Sequence, residues 1–123
     1  MEENEVKSEI QIAEEVVSVI AGTAIQNVEG IAKVSSGIAG GISEALGKKS
    51  VGKGIKVEIA EDKSVTIDVG IVVNYGVKIH DVAKNVQDKI KADVEAMTGY
   101  KVSGVIVRVV SVVVKDEEEN VEQ

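Results

Sequence analysis

Hydrophobic and polar positions divide the chain into stretches with two different periods. Between residues 78 and 98, Ile79, Val82, Val86, Ile90, Val94 and Met97 recur at steps of three and four. At about 100° per residue this lays one apolar stripe along a helix. A first helix is expected over 12–27, where Ala13, Val16, Val17, Ile20, Ala21, Ala24 and Ile25 form a wider stripe and Val19 falls off it. Glu14 and Glu15 suit the positive end of that helix. Period two governs the rest: Ile55, Val57 and Ile59, then Val65, Ile67, Val69, Ile71 and Val73, joined by the polar run Glu61 to Ser64. This reads as an antiparallel hairpin over 55–60 and 65–74. A short strand is expected at 28–35 and a long one at 100–114, with Gly99 as a left-handed helix cap between the second helix and the last strand.

A strand, a helix and another strand in succession over 72–112 form a crossover whose helix covers the sheet. The expected fold is therefore α+β in two layers, with both helices on one face of a mixed, mostly antiparallel sheet of about four strands. In the last strand Val105, Val107 and Val109 alternate with Ile106, Arg108 and Val110, so both faces carry apolar side chains. One face meets the helices. The other, bearing Ile106, Val110, Val112 and Val72, has no third layer to cover it and reads as a protein interface.

Composition sharpens this picture. The chain has 123 residues, enough for one domain and one core. Its 25 Val and 14 Ile stand against a single Leu, with no Phe or Trp, so β-branched side chains suited to a pleated surface dominate. There is no cysteine, which removes disulfides and thiolate metal sites. The longest apolar run, Val109 to Val114, is broken by Ser111 and falls well short of the roughly 20 residues of a membrane span. The acidic start MEENEVKSE has no apolar signal segment, so a cytoplasmic location is expected.

Of the net charge of −7, the ends account for −6, because residues 1–8 and 115–123 together hold eight acids and two bases. The centre is close to neutral, with 13 acids and 12 bases over 9–114. The expected organisation is an acidic flexible N-terminus at 1–8, one domain at 9–114 and an acidic disordered tail at 115–123.

Candidate chemistry is sparse. His80 is the only histidine and has no partner arranged for acid–base or metal chemistry, so it reads as a surface residue at a helix start. Residues 35–54 hold half of the twelve glycines and read as a mobile loop with a short helix at 38–46. A Walker A reading fails there, since Ile42 stands where the first glycine belongs and Lys49 where the hydroxyl belongs. Gly37-Ile38-Ala39-Gly40 is a literal G-x-x-G, the form that clamps an RNA backbone in KH domains. With Lys48, Lys49 and Lys53 it supplies the competing expectation, an RNA-binding loop running from Gly37 to Gly40. The neutral centre and the presence of only two tyrosines weigh against it.

Asn74-Tyr75-Gly76-Val77 leading into a helix with Asn85-Val86-Gln87, then Met97-Thr98-Gly99 and a valine-rich last strand, resembles the alkaline shock protein family. This is an envelope stress response family of Gram-positive bacteria that includes glucose-starvation-inducible general stress proteins. The resemblance extends to Val28-Glu29-Gly30-Ile31 and the glycine-rich loop, and covers residues 9–114. The chain departs from it at Ile106, where the family often has Asn, and at Tyr100, where it often has Leu. The resemblance implies a non-enzymatic cytoplasmic protein, and this fits the expectation from the residues of protein contacts through the outer sheet face, with self-association and without cofactor or metal. Some members are held at the inner membrane face by an anchor protein. Others are linked to fatty-acid synthesis through acetyl-CoA carboxylase. Direct contact with membrane or nucleic acid is not expected.

Overall fold

The computed structural model describes residues 8–35 and 54–114. Its elements are α1 (Glu14–Gln26), β1 (Ile31–Val34), β2 (Ile55–Ile59), β3 (Ser64–Asn74), α2 (Ile79–Thr98) and β4 (Lys101–Val113). The α+β expectation holds, and boundaries agree within two residues except at β1. Val28 to Gly30 turn the chain instead of extending it, since Asn27 and Val28 still donate to Ala24 and Ile25 carbonyls and Gly30 takes φ +96°. The expected short helix at 38–46 lies outside the described residues.

β3 is the centre of the sheet. Along one edge it pairs antiparallel with β2 through Val65 to Val69 and with β1 through Ile71 to Val73. Along the other it pairs in parallel with β4 over its whole length. β1 and β2 therefore share one edge end to end, and β4 is the opposite edge strand.

Both helices pack on the same face. Alternation delivers Val65, Ile67, Val69, Ile71 and Val73 of β3 to it, and all are fully buried. They meet Val17, Ile20, Ala21, Ala24 and Ile25 from α1 and Val82, Val86, Ile90 and Val94 from α2. Burying each such Val or Ile contributes about 1.5–3 kcal/mol, so this single layer carries most of the stabilisation. The ends of the expected stripes run off the sheet: Val16, Ile79 and Met97 are exposed. Gly99 caps α2 at φ +79°, with its N–H on the Glu95 carbonyl at 2.9 Å.

Gly30 is fixed by space as well as conformation, because a Cβ there would lie 2.9 Å from Val82 Cγ2. Gly76 has a similar φ of +99° with open space around it. Gly30→Ala is therefore expected to cost about 3 kcal/mol, joining left-handed strain to overpacking, whereas Gly76→Ala costs about 1 kcal/mol. Urea denaturation of the two variants checks this, and equal losses would refute the role given to Val82.

Candidate protein interface

On the sheet face turned away from the helices, Lys56 and Glu58 of β2 flank Thr66 and Asp68 of β3, with Ile106, Arg108 and Val110 beyond them on β4. The surface is low. Gly70 and Gly104 leave hollows in it, and a Cβ at Gly70 would approach Ser35, Val110 and Arg108 within 3.4–3.8 Å. Into the hollow at Gly70 the Arg108 side chain lies flat toward β3. Its Nε and Nη2 both donate to Asp68 Oδ1, the former at 3.0 Å. Ile106 and Val110, each 49% exposed, project on either side of that ion pair.

The four residues expected at this interface separate into two groups. Ile106 and Val110 are on the outer face and exposed. Val72 is on the same side of β3, outside the helix-side core, but is only 5% exposed, with Lys33 and Ser111 as its register partners. It supports the surface from within and offers little contact area. Val112 leaves the face altogether. A β-bulge shifts the β3–β4 register between Ile71 and Val72, so that Val112 stands beside core-facing Val73, on the helix side. Simple alternation from Ile106 misses that extra residue. The residues of the competing RNA reading, Gly37, Gly40, Lys48, Lys49 and Lys53, lie outside the described residues.

Two helix side chains, which the sequence pattern did not single out, hold the outer edge of β4. Glu95 Oε2 accepts the Val102 N–H at 2.8 Å, and Gln87 Nε2 donates to the Val105 carbonyl at 3.0 Å. Each directly follows a stripe residue, Val86 or Val94, and so lies on the flank of the stripe, where spacing alone gives no reason to distinguish it from solvent-facing polar residues. The Val102 N–H, followed by the Lys91 ammonium, holds the Glu95 carboxyl below the usual glutamate range.

Elsewhere the polar arrangements serve the fold. Tyr100 Oη accepts the Ile12 N–H at 3.0 Å and so ties the segment before α1 to the start of β4. This gives the tyrosine a structural use. An open cleft of about 380 Å³ beside it is lined by Glu9, Glu14, Glu61 and Lys63, whose ammonium is 3.9 Å from Glu9 and 5.8 Å from the Tyr100 ring centroid. His80 is exposed in the first turn of α2. Among the described residues no group of His, Asp or Glu is placed to hold a metal ion, and no helix is long and apolar enough to cross a membrane.

A family model described as cell envelope-related matches residues 2–114. The chain belongs to the alkaline shock protein 23 family. This bears out the alkaline shock resemblance, and relatives align over most of the chain. The Bacillus subtilis protein YqhY is 40% identical over 103 residues, covering 84% of this chain and 76% of that protein. YloU of the same organism is 37% identical, covering 79% and 82%. A stress response regulator gls24 homolog of Streptococcus pyogenes serotype M3 is 27% identical, covering 91% of this chain and 63% of its own length. Among solved structures, MamM-CTD 215-293 superposes with a TM-score of 0.50 at 13% identity, covering 80% of this chain and 99% of that one, a likeness of fold alone.

Because Glu95 ionises more readily folded than unfolded, its contribution to stability is complete above the usual glutamate range and disappears as pH falls through its lowered value. Glu95→Gln is expected to lower stability at neutral pH and to flatten the acid limb of the stability curve. Chemical denaturation at a series of pH values measures this, and an unchanged acid slope would show that the Val102 contact carries no charge-dependent stabilisation.

Proposed function

We propose that this member of the alkaline shock family is a non-enzymatic component of envelope stress response and homeostasis that works through protein contacts on the outer sheet face, self-association among them. The observation that carries the reading is Ile106 and Val110 standing half-exposed on a flat, glycine-hollowed surface around one ion pair. Small residues let an opposing surface approach closely, and two β-branched side chains supply apolar area without much rotamer entropy to lose. An isolated exposed valine is ordinary, but an Ile and a Val flanking a neutralised charge on a face that no described element covers are the composition of an interface core.

The finer placement is part of the same proposal. The protein is cytoplasmic and reaches the inner membrane face through a separate anchor protein, or it acts on fatty-acid synthesis through an acetyl-CoA carboxylase component. The Asn-to-Ile change at 106 makes the face more apolar than that of the usual family member, which favours an apolar partner patch.

Ile106→Lys or Val110→Lys is expected to abolish oligomers in light scattering and to reduce capture of anchor or carboxylase partners. The far-UV spectrum and cooperative melting should persist, because both side chains lie outside the core. Unchanged mass and unchanged capture would rule this face out.

A further inference from the structure

β4 is an edge strand, and its edge is unevenly occupied. Val102 and Val105 turn their backbone polar groups away from β3, as their bonds to Glu95 and Gln87 show. Alternation from Val105 turns the N–H and C=O of Val107 and Val109 the same way. The bulge between Val109 and Ser111 ends that run, and the Val113 carbonyl already points back, accepting the Tyr75 N–H at 2.9 Å. No side chain among the described residues reaches the polar groups of Val107 or Val109. Between the helix-held backbone and the bulge, the bare edge therefore consists of two residues spaced by two; beyond the bulge Val112 turns outward again, out of step with them.

Such a segment is its own complement. We infer that two copies of the chain pair β4 to β4, antiparallel about a two-fold axis at Arg108, joining their sheets into one. Val107 of each copy then faces Val109 of the other, and the two pairs exchange four backbone hydrogen bonds. A register centred on Val107 would need the Val105 carbonyl, which Gln87 holds. One centred on Val109 would set Val107 against Ser111, whose groups point inward.

The side chains agree with the chosen register. On the outer face it sets Ile106 of one copy against Val110 of the second, twice, in the close non-hydrogen-bonded arrangement that favours β-branched pairs. Arg108 meets its own copy across the axis. The ion pair with Asp68 draws its guanidinium inward over Gly70, away from the edge, and neutralises it there. On the helix side, Val107 and Val109 are only half-buried in one chain and gain cover from the second strand. The inference rests on the reading of the outer face as a protein surface and deepens it, because the joined sheets merge two such faces into one.

Cysteine cross-linking tests this register directly, since the chain has no cysteine of its own. Under mild oxidation the double variant Ile106→Cys/Val110→Cys should form a covalent dimer in high yield. So should an equimolar mixture of the two single variants, whereas each single variant alone should cross-link no more than Met97→Cys, an exposed control. Four residues of strand, roughly 13 Å, prevent closure within one chain. In parallel, Val109→Pro removes an edge N–H without breaking a β3 bond, and should halve the mass while keeping the strand signal.

Covalent dimer confined to the double variant and the mixture supports the inference. Background-level cross-linking with an unaltered mass for Val109→Pro overturns it. If Ile106→Lys still dissolves the oligomer in that case, the outer-face reading survives alone. If the parent chain is a monomer throughout and does not cross-link, edge pairing and self-association through the face both fall.

Discussion

The pairing of β3 on both edges is the constraint on which the molecule depends. A strand hydrogen-bonded on each side has no backbone group left to satisfy, so its side chains are free to be almost wholly apolar on the helix side, and all five there are completely buried. Because β1 and β2 share one edge of β3, the other edge is taken, among the described residues, by β4, delivered in parallel by α2. The exposed features of the molecule, the outer face and the edge, are thus what remains once β3 has been satisfied.

Much of this was legible in the residues. The stripe Val82, Val86, Ile90 and Val94 and the alternation of Val65 through Val73 specify helix and strand by period alone, and all of these residues are buried. The crossover followed from the order of elements. What the pattern could not carry was register. Period two treats Ile106, Val110 and Val112 as equivalent, and a single inserted residue puts Val112 on the opposite side. A bulge in a valine-rich strand leaves no compositional mark, since every neighbour that slides into place is also apolar.

The polar residues were harder still. Gln87 and Glu95 lie among Lys84, Asp88 and Lys91 on a charged helix flank, where the i,i+4 pair Lys91–Glu95 gives Glu95 an ordinary helical explanation and Gln87 sits beside the pair Lys84–Asp88. Their second use, bonding the backbone of β4, depends on where α2 crosses that strand, which is a property of the packed layers. Arg108 and Asp68 are likewise forty residues apart, and their meeting depends on the parallel register and on the missing side chain at Gly70. Tyr100 could be seen as a departure from the family pattern but not as the acceptor that fastens the segment before α1.

Length explains why the edge of β4 is held at one end and bare beyond it. The 20 residues of α2 span about 30 Å at 1.5 Å each, whereas the 13 of β4 extend to about 43 Å before two bulges shorten them. Running antiparallel to the strand, α2 places Glu95 at Val102 and Gln87 at Val105. Eight helical residues thus accompany three residues of strand. At that rate the helix reaches its first turn near Val109 and has no side chains to offer farther on. Exposure rises accordingly, to 40% at Val112 and 63% at Val114. An edge strand left in this state is a hazard unless something limits how it pairs. Here the helix-held residues stop pairing on one side and the bulge stops it on the other, which confines association to a short antiparallel match and opposes the open-ended stacking that a longer bare edge would allow.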